Sequence, residues 1–312
     1  MKEYNIKNIK QEFKEKGIYY TQPELAEYLK SFLPSDVKEI YDPTCGNGGL
    51  LSVFDDDVVK YGQDINKEQV EVAKQNLKNF IGEVGDTLTD PKFKGKKFKY
   101  IVANPPFSIK WIQNEDDERF KVLPCLPPPS KADYAFLAHI LYYLSDDGVA
   151  VALNFPGILY RGQREGKIRK WFVDNNYIDT VIHIDGDKFV DTKIATCVLI
   201  LKKNKKTTDI KFIDKDKEYI ATQQEIIDND YTLSVSNYIF EEQEKENIDI
   251  LRVEQEARQN LLMRIKNEIE FSKMVCEMEN ISIKPLLNDI KKLVRSYERK
   301  ETKENKNQQT FF

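Results

Sequence analysis

At 312 residues the chain is long enough for one large α/β domain and a smaller appendage. With 40% hydrophobic and 11% aromatic residues it can bury a full core, which excludes a disordered polypeptide. A net charge of −4, with both signs mixed through 32% charged residues, argues against a uniformly basic protein that wraps DNA alone; nucleic-acid affinity is left to local patches or to a partner.

Leu25 to Phe32 has helical spacing, with Thr21 as the expected N-cap and Pro23 at an early helical position. Val37 to Tyr41 is a short strand running into Asp42-Pro43-Thr44-Cys45-Gly46-Asn47-Gly48-Gly49, after which Leu50 to Phe54 is helix-prone. Val58 to Gly62 is a second strand, Gln69 to Leu77 a helix, and Tyr100 to Ala103 a third apolar strand ending at Asn104. Ala132 to Leu144 is helical and Gly148 to Leu153 is a strand. Ile168 to Val173 begins a helix, and Ile178 to Ile184 and Thr196 to Leu201 are further strands. This alternation predicts an α/β fold with a mostly parallel central sheet flanked by helices. Ligands of such sheets sit at the carboxyl ends of the strands, and the Gly-rich turn, Asp64 and Asn104 all fall just past strand ends.

Residues 1–205 are read as the main domain, and 206–240, with Ile210 to Ile213 and Tyr219 to Ala221, as a short strand-rich extension of it. Residues 241–312 are read as a helical C-terminal region for partner binding. There is no proline between Glu241 and Pro285, and Ile248, Leu251, Leu261, Ile265 and Ile269 recur at helical spacing. The polar end, Lys300 to Gln309, is expected to be disordered.

Cys45, Cys125, Cys197 and Cys276 are far apart and fit neither a disulfide framework nor a zinc spacing. The histidines are His139 and His183 alone, so no metal site is expected and the chemistry should rest on carboxylates, amides, aromatics and a cofactor. No N-terminal apolar signal or membrane-length apolar run is present, and a cytoplasmic protein is expected.

The stretch Asp42 to Gly49 lets the backbone turn tightly at Gly46, Gly48 and Gly49 and approach a ligand closely, while Asp42 is placed to bind a ligand's amino group. It lacks both the dinucleotide fingerprint and the lysine of a phosphate-binding loop, so a ligand without phosphates, such as S-adenosylmethionine, suits it better; a plain strand–helix turn is the alternative. Asp64 ends the next strand in Tyr61-Gly62-Gln63-Asp64-Ile65-Asn66, where a carboxylate accepts from ribose hydroxyls; the alternative is a helix N-cap, by Asp64 or Asn66. Asp86 is read as following the third strand of the sheet, either accepting from an adenine amino group or serving as a loop aspartate. Thr21 and the backbone around Gln22, in Tyr20-Thr21-Gln22-Pro23, are placed to hold a carboxylate of the cofactor.

Asn104-Pro105-Pro106-Phe107 is the most specific feature. Adenine N6 is a poor nucleophile because its lone pair is delocalised into the ring. Two acceptors, the Asn104 side-chain oxygen and the Pro105 carbonyl, can pull its hydrogens out of plane and restore a directed lone pair. Consecutive prolines stiffen that backbone, and Phe107 can stack on a base flipped out of the duplex. Methyl transfer then needs in-line positioning more than a strong base.

Taken together these pieces resemble the gamma order of amino-methyltransferases: Tyr-Thr-Gln-Pro, then Asp-Pro-x-x-Gly-x-Gly-Gly, then Asn-Pro-Pro-Phe. More narrowly, residues 18 to 240 resemble the modification (M) subunit of type I restriction-modification systems. Supporting stretches are Lys131-Ala132-Asp133-Tyr134-Ala135-Phe136, Gly157 to Gly162, Gly166 to Trp171, Ala195 to Leu199 and Asp230 to Tyr238. The resemblance implies a Rossmann-like methyltransferase that takes S-adenosylmethionine and methylates adenine N6 in DNA. It further implies a separate specificity (S) subunit that reads the DNA sequence, a second M subunit and a restriction subunit, with the C-terminal helices packed on S. Family members carry a sizeable helical domain before Thr-Gln-Pro, whereas about twenty residues precede it here, so most of that domain is expected to be missing.

Ribosomal RNA guanine-N2 and release-factor glutamine-N5 methyltransferases share the Asn-Pro-Pro-aromatic motif, but the Thr-Gln-Pro segment and the Lys131 to Phe136 stretch argue against them. A non-catalytic or partner-dependent assembly subunit is the alternative of a different class. The loop from Ser108 to Ser130, with Trp111, Arg119 and Pro127-Pro128-Pro129, is expected to close over the flipped base. Arg161, Arg164 and Lys167 are read as phosphate contacts or helix caps, and the lysine runs 92–99 and 202–206 as solvated loops before DNA contacts.

Overall fold

The computed structural model describes residues 21–186, 195–240 and 250–308. Its centre is one nine-stranded sheet in the order β3-β2-β1-β4-β5-β7-β6-β8-β9. The strands are β1 (Glu39–Asp42), β2 (Val59–Asp64), β3 (Phe80–Val84), β4 (Phe98–Ala103) and β5 (Leu144–Asn154). They continue as β6 (Ile178–Ile184), β7 (Thr196–Lys202), β8 (Ile210–Asp214) and β9 (Lys217–Ala221). From β3 across to β5 every pair is parallel, as is β6 with β8; β7 runs antiparallel between β5 and β6, and β9 antiparallel to β8.

The sheet is covered on both faces, which is why β4 and β7 read as nearly unbroken apolar runs. Side chains alternate between two cores, Ile101 and Ala103 of β4 facing one and Tyr100 and Val102 the other. On the first side lie α4 (Asp133–Tyr143) and α5 (Gln163–Asp174). Helix α4 is buried almost all round, a central rather than a surface helix. On the second lie α1 (Pro23–Lys30), through Leu25 and Leu29, and the turns holding Leu50, Leu51 and Phe54. The short helices α2 (Lys67–Asn76), α3 (Glu118–Lys121) and α6 (Gln223–Asp228) complete this unit.

The expected α/β class holds, and several local expectations are corrected. The helix-prone Leu50 to Phe54 forms successive turns, its apolar side chains committed to the core. Gln22, not Thr21, is the N-cap of α1, with no side-chain capping bond. Strand β3, which the reading of Asp86 implied without bounds, has no apolar run to mark it, because as an edge strand none of its five residues is fully buried. Strand β5 begins earlier than its apolar run, at Leu144. Residues 210–221 extend the same sheet by β8 and β9.

The described residues of a second unit, which begins at residue 242, include α7 (Ile250–Met278) and α8 (Lys284–Gln308). The expected disordered tail is helical through Gln308: no proline or glycine follows Pro285 to stop α8. Large apolar side chains of α7, among them Leu261, Leu262, Met263 and Phe271, are each about 60% exposed. No helix among the described residues is long and apolar enough to cross a membrane.

Strand order reverses between β1 and β4, which are adjacent and parallel while their successors lie to opposite sides. The crevice beyond their carboxyl ends is where such sheets bind ligands.

Candidate active site

Asp42 ends β1 and Asn104 follows β4, so both stand at that crevice. The Gly-rich loop between them is pinned at several points. Cys45 N donates to Gln63 O (3.0 Å), Gly46 N to Asp64 Oδ2 (2.9 Å), and Gly49 N to Asn47 Oδ1 (3.1 Å). Gly46 and Gly48 have φ of +50° and +84°, conformations that side chains resist. A Cβ at Gly48 would lie 2.6 Å from Leu77 Cδ1, whereas one at Gly46 would meet nothing within 4 Å, so open space lies above that residue.

Thr21 joins this loop to the tetrapeptide. Its carbonyl oxygen lies so close to Gly49 that a Cβ there would stand 3.1 Å away. Its Oγ1 accepts from Asn104 Nδ2 at 3.2 Å, which commits the amide nitrogen to the hydroxyl and turns Oδ1 the other way. Pro105 is buried, Pro106 and Phe107 are half-buried, and Phe107 packs against the second core. The hydroxyl expected to cap a helix is instead a partner of the tetrapeptide.

Two carboxylates line the crevice. Asp42 is 1% exposed and its Oδ1 accepts from Thr44 N (2.9 Å) and, more weakly, Thr44 Oγ1 (3.4 Å). Burial pushes its carboxyl up to about 7; the Thr44 amide opposes this and the nearby Asp64 charge adds to it. Asp64 accepts from Gly46 N and Asn66 N, and burial raises its carboxyl above the usual range. Asn66, not Asp64, caps α2, its Oδ1 accepting from Glu68 N and Gln69 N. Among the described residues no ion pair reaches either aspartate. The pair is thus an uncompensated acidic site, suited to a cation.

Asp86 lies two residues past β3, and Gly85 N donates to Asp64 O (2.9 Å), which brings its loop beside Asp64. Its own carboxylate accepts from Leu88 N and Thr89 Oγ1, as a loop aspartate does. Ile65, at 71% exposure, offers an apolar face at the end of β2. Tyr20 lies outside the described residues.

Sequence reasoning missed the residues that hold these in place. Gln63 is fully buried, and its amide donates to Gly85 O and Asp90 O while its oxygen accepts from Lys92 N, fixing the loop that carries Asp86. Its only signal was a polar residue in an otherwise buried strand position. Arg119 is 3% exposed and donates to Thr87 O and Leu88 O, both 2.6 Å, while pairing with Asp117. It also donates to His139 Nδ1 (2.8 Å), so His139 Nε2 carries the proton and donates to Tyr41 Oη (3.1 Å). Burial first, and Arg119 second, holds His139 far below the usual histidine range.

Arg119 is therefore part of a buried network, and the loop expected to close over the base is tied together by its own hydrogen bonds. Trp111 N and Nε1 donate to Pro129 O and Pro128 O, Gln113 Nε2 donates to Pro127 O, and Trp111 packs edge-on against the buried Phe120. Ile112, 75% exposed, stands at its surface.

The N-6 DNA Methylase family profile matches residues 1–225. The methylase subunit of the type I restriction enzyme MpnII of Mycoplasma pneumoniae is 31% identical over 86% of this chain and 62% of its own length. That of HindI from Haemophilus influenzae is 30% identical over 65% of this chain and 50% of its own. A crystal structure of the type I restriction-modification methyltransferase subunit of Streptococcus thermophilus superposes with a TM-score of 0.65 and 32% identity, covering 71% of this chain and 59% of the other. The chain thus spans between half and two thirds of these relatives. With the profile covering the whole of the sheet and crevice, the chain belongs to the N-6 DNA Methylase family.

Proposed function

We propose that the chain transfers a methyl group from S-adenosylmethionine to N6 of adenine in DNA, as the methylation subunit of a type I restriction-modification complex. The observation that carries this is the Asn104–Thr21 hydrogen bond, which brings the Thr-Gln-Pro segment, the Gly-rich loop and the tetrapeptide to one crevice.

The residues present fit the cofactor. The open space above Gly46, the absence of a phosphate-binding lysine in the loop, and a buried and a half-buried carboxylate with no cationic partner among the described residues suit a phosphate-free cation. Asp64 would hold the ribose hydroxyls, Asp42 and Thr44 the amino end, Thr21 and Gln22 the carboxylate, and Ile65 and Asp86 the adenine. When bound, S-adenosylmethionine supplies an electrophilic methyl group on a sulfonium.

With Nδ2 committed to Thr21, Asn104 Oδ1 accepts from one N6 hydrogen of the target and the Pro105 carbonyl from the other, which restores a directed lone pair on nitrogen. Pro106 removes a competing N–H, and Phe107 stacks on the base. An amide cannot take a proton, so the proton leaves to solvent after transfer. A planar amino group inside a duplex is out of reach, and base flipping follows from that geometry.

The partners are DNA, a specificity subunit, a second copy of this chain and a restriction subunit, in the cytoplasm. The exposed apolar side chains of α7 support a protein partner there, and the net charge of −4 supports delegated DNA reading. The test is incubation with labelled S-adenosylmethionine and unmethylated DNA, with and without a specificity subunit, followed by digestion to nucleosides. Label in N6-methyladenine is expected. Label only in RNA or protein contradicts the substrate, and none despite a bound specificity subunit favours an assembly role.

A further inference from the structure

Immediately after the tetrapeptide, Ser108 has φ +52°, a left-handed backbone that non-glycine residues adopt at a cost. Such a conformation persists where the surroundings over-determine it, and it concentrates at functional sites. Two side chains remote in sequence hold Ser108. Asp133, the first residue of α4, accepts from Ser108 N at Oδ1 (3.1 Å). Arg161 Nη2 donates to Ser108 Oγ (3.2 Å).

Both side chains are built into the fold. Asp133 is 2% exposed, and its Oδ2 makes no hydrogen bond among the described residues. Arg161 Nη1 stands 3.8 Å from that oxygen and 3.2 Å from Glu165 Oε1, so one guanidinium is shared between two carboxylates and the serine. A buried carboxylate left without this cation would be costly.

The seat of Arg161 is itself made. A Cβ at Gly157 would lie 2.4–2.6 Å from the guanidinium, so only glycine there admits it. Arg161 lies 5.3 Å from the Phe155 ring centroid. Its carbonyl accepts from Arg169 Nη1 at 2.7 Å, and Arg169 also holds Ile158 O and Tyr231 O. Arg161 therefore faces inward, away from the phosphate-contact role that its position in the sequence suggested.

We propose that Asp133 and Arg161 are positioning residues that clamp Ser108 in its left-handed conformation and thereby fix the Asn104–Phe107 backbone, the Pro105 carbonyl above all. The catalytic consequence rests on the methyl-transfer reading; the clamp itself does not. Hydrogen–deuterium exchange on the full chain reads it directly. In Asp133→Ala the Ser108 amide exchanges at least tenfold faster while β1 and β2 keep wild-type protection. Asp133→Asn, which retains an acceptor for Ser108 N, restores most of the protection. If Asp133→Ala fails to fold, Arg161→Gln is expected to loosen the same amide. With labelled S-adenosylmethionine and DNA, the loosened variants lose at least tenfold in kcat with KM for the cofactor within twofold of wild type. Unchanged Ser108 exchange, loosening spread evenly over the fold, or local loosening with kcat unchanged overturns the proposal. A wild-type chain that does not methylate DNA sinks the proposed function, while the exchange experiment still decides the clamp.

Discussion

At the scale of single residues, the crevice is a set of polar atoms whose orientations are fixed by neighbours. Thr21→Val removes the acceptor that holds Asn104 Nδ2. The loss of one net hydrogen bond, about 1 kcal/mol, predicts a roughly fivefold slower single-turnover rate at saturating cofactor, beside any loss of the contact proposed between Thr21 and the cofactor carboxylate. Asp42 carries a pH signature. Its folded carboxyl sits near 7 against an ordinary 3.8, so its contribution to stability is full below pH 3.8 and lost as pH rises through about 7. A bound cation reverses that sense for affinity, since binding favours the charged form. S-adenosylmethionine should bind more tightly as pH rises through about 7, and calorimetry on Asp42→Asn should show that dependence flattened. A pH-independent wild-type affinity would remove Asp42 from the cofactor site. The tetrapeptide and Asp64 were legible in the sequence because strand ends announce them. The Asn104–Thr21 bond was not, because its partners lie 83 positions apart and Thr21 reads equally well as a cap.

At the scale of elements, backbone conformation explains which loops tolerate change. Gly48 combines a φ of +84° with Leu77 packed where a Cβ would stand. Gly48→Ala should therefore destabilise by about 2 kcal/mol or more, read as a fall in thermal midpoint, through strain and overpacking together. Gly46→Ala meets strain but no clash, and should cost less stability than Gly48→Ala. The lysine runs show why charge patterns underdetermine function. Lys203 and Lys205 donate to the carbonyls of Leu144 and Ile178, Lys96 pairs with Glu39 and stands 3.8 Å from the Tyr61 ring centroid, and Lys99 pairs with Asp147. These are structural uses that no pattern of charges distinguishes from DNA contacts. The bounds of strand β3 are hidden for the opposite reason: its half-exposed residues give no apolar run, yet it places Asp86 beside Asp64.

At the scale of the whole molecule, the α/β order was legible from periodicity alone, because central strands buried on both faces leave unbroken apolar runs. The Arg119–His139–Tyr41 network and the Asp133–Arg161 clamp were not, since each closes only when distant segments meet. The second unit presents apolar side chains on α7 that a partner is proposed to cover. Charged substitutions at Leu262 and Phe271 should abolish co-purification with a specificity subunit while leaving cofactor affinity unchanged. The central claim is that Asn104 activates an adenine amino group, and single-turnover methyl transfer to DNA in the assembled complex tests it most directly. Wild type should place label on adenine N6, and Asn104→Ala should fall by about 100-fold or more with cofactor binding intact, as loss of one preorganised polar group in a closed site does. An Asn104→Ala complex that methylates adenine at the wild-type rate would contradict the account.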